Sequence, residues 1–120
     1  MKLLASVLIA CVAAIHAYIV VLEMWLWQKP VGRRIFRTTP EQAAQTATLA
    51  ANQGLYNGFL AAGLGWALLA GEPLRRPVGT FFLACVAIAG VFGAATVGRR
   101  NHLVQTLPAV VAQLCLWLAG

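Results

Sequence analysis

The stretch "LAANQGLYNGFLAAG", Leu49–Gly63, decides the architecture. Asn52, Gln53, Tyr56 and Asn57 interrupt a run otherwise built from Leu, Ala, Gly and Phe. The run has no two-residue alternation, so it reads as a helix, and at 100° per residue it divides into three arcs. One is polar: Asn52, Gln53, Tyr56 and Asn57. The next is a ridge of small residues, Ala50, Gly54, Gly58 and Ala62, with a GxxxG pair inside it. The third holds Leu55, Phe59 and Trp66. The small ridge suits close approach of another helix and the aromatic arc suits lipid, so the polar arc is expected to face the inside of a bundle.

Working outward, the chain has 120 residues, of which 61% are hydrophobic and only 10% charged. A soluble domain carries about 25% charged residues. So little charge cannot cover a protein of this size, and lipid must solvate much of it. Four apolar runs stand out, at residues 3–27, 49–70, 78–98 and 103–119. A spanning helix needs about 20 residues, within a range of about 17–25. Spanning segments must satisfy their own backbone, and nothing here alternates like a barrel strand. The expected fold is all-α, a four-helix transmembrane bundle forming one integral membrane domain over residues 1–120, with helices near 3–27, 40–70, 78–98 and 103–119. The second helix starts early because Thr39-Pro40-Glu41-Gln42 reads as a capping box with proline at the first helical position. Lys29-Pro30-Val31-Gly32 is expected to break the first helix. "MKLLASVLIACVAAIHA" (residues 1–17) imitates a signal peptide, but its hydrophobicity continues to Trp27, so it reads as an uncleaved first helix.

The formal net charge of +6 is gathered in short clusters between the apolar runs. That is the pattern of membrane loops meeting anionic headgroups, not of a nucleic-acid footprint, so the expected partner is the lipid bilayer and no nucleic acid. Lys29, Arg33, Arg34, Arg37, Arg99 and Arg100 fall on one side, and Lys2, Arg75 and Arg76 on the other. Six against three puts the first side in the cytoplasm. The expectation is a multi-pass protein of the inner (cytoplasmic) membrane with both termini outside.

The segment "HAYIVVLEMWLW", residues 16–27, supplies a counterpart to the polar arc. His16 and Glu23 are seven residues apart and share a helix face. Glu23 is the only acidic residue within the apolar runs. A carboxylate there costs at least about 2.5–3.5 kcal/mol by insertion scales, which makes it a functional candidate. The last run adds Gln105, with Pro108 freeing the carbonyl of Val104. Together Glu23, Asn52, Gln53, Tyr56, Asn57 and Gln105 are expected to surround one polar pocket, with His16 at its floor and His102 at its mouth. The alternative is an interhelical hydrogen-bond lock on Glu23. Cys11, Cys85 and Cys115 have no CxxC spacing and read as small buried apolar residues, so no metal site is assigned. No residue pattern names a cofactor.

"HAYIVVLEMWLW" followed by "LAANQGLYNGFLAAG" resembles an uncharacterised bacterial family of small membrane proteins, the domain-of-unknown-function family numbered 1304. The resemblance covers essentially the whole chain and implies four membrane helices without an activity. Small multidrug-resistance transporters are similar in layout, with a lone carboxylate in their first helix, but Glu23 is off-centre by comparison. The membrane-associated eicosanoid and glutathione metabolism proteins are also four-helix, but the Arg and Glu that hold glutathione in them are missing from "AANQGLYNG". The leading expectation is proton-sensitive binding or transport of a small polar or cationic molecule by Glu23, His16, Asn52, Gln53, Tyr56, Asn57 and Gln105. The alternatives are a membrane-embedded enzyme using His16 and Glu23, or a structural or assembly subunit. Whether the protein is an enzyme stays open. A homo-oligomer joined through the small-residue helix faces is a further expected partner state.

Overall fold

The computed structural model describes the backbone of all 120 residues and every side chain except those of residues 99–102. The expected place of His102 therefore lies outside the described residues. Five helices follow in order: α1 (Lys2–Met24), α2 (Pro30–Phe36), α3 (Pro40–Ala70), α4 (Arg75–Thr96) and α5 (Arg99–Leu118), with no strand among the described residues.

Local chemistry sets several of these boundaries. Helix α3 begins on the capping box: the Gln42 N–H donates to Thr39 Oγ1 at 3.1 Å, and the Thr39 N–H donates to Gln42 Oε1 at 2.9 Å. Two of the donors that a helix start leaves unpaired are thereby satisfied. Helix α1 unwinds before the proline: the N–H groups of Trp25 and Leu26 both donate to the Val21 carbonyl, at 3.0 and 3.1 Å. Pro30 then opens α2 at its first position, where a missing N–H costs nothing. This short helix is absent from the sequence expectation of four helices, which treated Pro30 only as a breaker. Gly32 lets α2 fold back on the preceding turn, since a Cβ there would collide with the Leu26 carbonyl oxygen. Arg37 ends α2 in the left-handed region at φ 57°, rare for a residue with a Cβ, and the Thr38 N–H returns to the Arg33 carbonyl at 3.0 Å.

The chain divides into two compact units, residues 16–59 and residues 1–15 with 60–120. In the first, the small ridge of α3 packs on the end of α1. A Cβ at Gly54 would stand 2.6 Å from Met24 Cγ and 3.2 Å from Glu23 Cβ, while one at Gly58 would meet Val20 at an ordinary 3.7 Å. Leu22, Ala43 and Ala50 are buried here. Trp27 stacks near Phe36 of α2 with ring centroids 4.8 Å apart, and its Nε1–H donates to Thr46 Oγ1 of α3 at 3.1 Å. Its indole thus joins the connector to the start of α3.

The second unit contains the apolar core. Ile9, Leu64, Leu83 and Val86 are fully buried, with Ala109, Ala112 and Leu116 of α5 packed among them. Gly79 admits Leu116 Cδ2 to within 3.0 Å of where its Cβ would be. Thr80 Oγ1 accepts from Gln113 Nε2 at 3.2 Å and from Trp117 Nε1 at 3.1 Å, which ties α4 to α5. Of the cysteines, Cys115 is buried but Cys11 is exposed, so the reading of all three as buried apolar residues holds only in part.

Two helices, α1 and α4, are long and apolar enough to cross a membrane. A soluble protein would hide such helices, yet only 22% of the most apolar stretch of α1 and 28% of that of α4 is buried. Ile88, Phe92, Leu69 and Val97 are among many large apolar side chains left exposed. Helix α3 has the length, but Asn52, Gln53 and Asn57 dilute its apolar run. In α5 the apolar part is the shorter stretch Leu103–Leu118.

Candidate functional site

Glu23 occupies the last turn of α1 and is only 5% exposed. Gly54 makes this burial feasible, because the absence of a Cβ brings the α3 backbone against Glu23 and Met24. Asn57, three residues further along α3, then reaches the carboxylate. Its Nδ2 donates to Glu23 Oε1 at 2.6 Å and also to the Gln53 carbonyl at 3.1 Å. Both amide hydrogens are therefore committed, one within α3 and one across to α1. A donor bound to its own helix in this way is held in place before it meets the carboxylate, and a bond to an ionised acceptor is the stronger kind.

Glu23 also lines a cleft of about 340 Å³ together with Met24, Trp25, Trp27, Gln28, Lys29 and Ala47. One wall is aromatic, the Lys29 ammonium is at the exposed edge, and the carboxylate is the acidic group. Indole faces attract cations through the ring quadrupole, and a carboxylate accepts hydrogen bonds from ammonium or amide donors. Among the described residues no three His, Cys, Asp or Glu side chains converge. The cleft offers charge, hydrogen bonding and aromatic surface.

The remaining expected site residues are distributed differently. His16 is buried on the α1 face that carries Glu23, but seven residues of helix separate the two by about 10 Å, too far for a direct hydrogen bond. Asn52 and Gln53 are exposed, and Asn52 Nδ2 donates to the Thr48 carbonyl of its own helix at 3.1 Å. Tyr56 is 62% exposed and pairs with Phe59, ring centroids 6.0 Å apart. Gln105 is half-buried on α5 and belongs to the other compact unit. Of the polar arc, the structure brings Asn57 to Glu23. Trp25, Trp27, Gln28, Lys29 and Ala47 are cleft residues that the sequence reading did not include. For all but Ala47 the signal was the aromatic and polar run "WLWQK", residues 25–29, which reads as the tail of a spanning helix when α1 is extended to Trp27.

The model of the family described as "Protein of unknown function (DUF1304)" matches residues 10–117. No curated protein and no solved structure matches the chain.

Proposed function

The chain belongs to the DUF1304 family, which brings no activity with it, and from that premise we propose a membrane-embedded binding or transport protein for a small polar or cationic molecule. Helices α1, α3, α4 and α5 span the inner membrane, α2 lies at the cytoplasmic surface, and both termini are outside. Support comes from the two long apolar helices with little of their surface buried, and from the basic residues between apolar runs.

The observation that carries the binding role is Glu23 itself, a nearly buried carboxylate that lines a cleft as well as accepting from Asn57. An intramembrane carboxylate with cavity access is a functional candidate by default. It exchanges a proton or a ligand cation, and Trp25 and Trp27 supply the aromatic wall. Lys29 lines the same cleft, so Glu23 and Lys29 balance when both are ionised. This favours monovalent or zwitterionic molecules over multivalent cations. Asn52, Gln53 and Tyr56 enter the reading as a second polar surface on α3, shielded from lipid by another copy of the chain.

A second reading has its own observation. Both Nδ2 hydrogens of Asn57 are committed to protein acceptors, which suits an interhelical lock in a structural subunit. The deciding experiment uses a Trp66→Phe/Trp117→Phe background, where Trp25 and Trp27 are the fluorophores, and titrates N-methylpyridinium, a cation that quenches indoles on contact. Saturable quenching that disappears in Glu23→Gln supports the cleft. Unsaturable quenching that is identical in Glu23→Gln rules it out and leaves the lock.

A further inference from the structure

We propose that Lys2, Arg75 and Arg76 form a phosphate-binding site at one end of the compact unit made of residues 1–15 and 60–120. The three cations line one small pocket with Leu116, Ala119 and the exposed carboxylate of Glu72. Both guanidinium groups are fixed in advance. Arg75 Nη2 donates to the Leu68 carbonyl in the last turn of α3 at 3.1 Å. Arg76 Nη2 donates to the Trp117 carbonyl at 3.3 Å, and its guanidinium stacks 4.1 Å from the Trp117 ring centroid. One donor on each guanidinium, the Nε–H of Arg75 and of Arg76, is shut away from solvent without a hydrogen-bond partner among the described residues. A buried donor without a partner is costly, more so on a charged group, and an anionic oxygen is the acceptor that best relieves it.

Size narrows the chemistry. The pocket is about 20 Å³, and about 10–15 Å³ suffices for one water-sized group. One oxygen of an oxyanion enters while the rest of the group stays outside, within reach of the Lys2 ammonium. A phosphate group meets this requirement, with several equivalent oxygens and a charge that two arginines and a lysine complement. Arg75 is also the first residue of α4, whose N-terminal amides add favourable potential. The phosphate comes either from a lipid headgroup, with Trp117 beside it at the interface, or from solution. This site is separate from the Glu23 cleft and does not depend on what that cleft binds.

The full chain is purified in maltoside micelles and its melting temperature followed by fluorescence. Phosphatidylglycerol, diacylglycerol with the same acyl chains, and inorganic phosphate at constant ionic strength are added separately. A rise with phosphatidylglycerol but not with diacylglycerol or inorganic phosphate identifies a lipid headgroup, and a rise with inorganic phosphate identifies the free ion. In either case Arg76→Gln is expected to weaken the apparent affinity about tenfold, the loss of one charge-assisted bond. Lys2→Gln is the variant that protects against misfolding, since Lys2 is exposed; it lowers the affinity while leaving the ligand-free melting temperature unchanged. No rise with either phosphate compound, or a rise equal in wild type and both variants, overturns the site.

Discussion

The carboxylate of Glu23 and the amide of Asn57, thirty-four residues apart in the chain, meet in a 2.6 Å hydrogen bond. The contact joins α1 to α3 at a position where each side chain would be expensive alone. If both helices cross a bilayer, the range for hydrogen bonds between membrane helices applies, about 0.6 kcal/mol on average in double-mutant cycles with a maximum near 1.7 kcal/mol. A Glu23→Met/Asn57→Leu cycle, measured by denaturation in mixed micelles, is expected to give coupling within that range. Coupling near zero would mean that the two groups bond mainly to water in the cleft.

Close packing gives a sharper contrast. A Cβ at Gly54 falls 2.6 Å from Met24 Cγ, whereas at Gly58 the nearest atom is at 3.7 Å. Gly54→Val is expected to cost about 1–3 kcal/mol through overpacking. Gly58→Ala is expected to leave stability unchanged or slightly higher, since alanine is the better helix former. Equal losses at the two positions would contradict this packing of α3 on α1.

Gly32 faces a carbonyl rather than a flexible side chain. A Cβ there would collide with the Leu26 carbonyl oxygen, so the backbone of the turn has to move. Gly32→Ala is expected to destabilise the connector and to raise amide exchange across residues 26–36. Exchange rates matching wild type would show that α2 does not lie back on that turn.

The start of α3 tests the capping box by itself. Thr39→Ala removes the acceptor for the Gln42 N–H and is expected to cost about 1 kcal/mol. Faster amide exchange should be confined to the first turns of α3. A uniform change along the helix would point to some other cause.

Cys11 distinguishes lipid from water around α1. It is exposed on the surface of the protein and lies mid-helix. If α1 spans the bilayer, a membrane-impermeant maleimide leaves Cys11 unmodified in proteoliposomes of either orientation and modifies it after denaturation. Rapid modification in intact proteoliposomes would remove α1 from the membrane.

Much of this arrangement is legible in the sequence, for reasons that differ between residues. Thr39 and Gln42 act within one helical turn, and Gly54 and Gly58 advertise close approach by lacking side chains. The polar arc was harder to orient. At 100° per residue, Asn57 is only about 60° round the helix from Gly54, but Asn52 and Tyr56 are about 160° away. The Gly54 side faces α1, so Asn57 turns inward at the edge of that face while Asn52 and Tyr56 point outward. An arc read as a unit hides this, because periodicity gives angles between residues and not the direction of the neighbour. Helix α2 was missed for another reason. The same proline that cannot continue one helix is well suited to begin the next, and only the position of the earlier unwinding at Trp25 separates the two cases.

The connector between α1 and α3 is itself largely folded: α2 occupies residues 30–36, Gly32 lies against the Leu26 carbonyl, and Trp27 bridges Phe36 and Thr46. A flexible linker loses conformational entropy when its ends are brought together, whereas one that folds on local contacts meets that cost as it forms. The contacts that fold the connector therefore also lower the entropic cost of bringing Glu23 to Asn57.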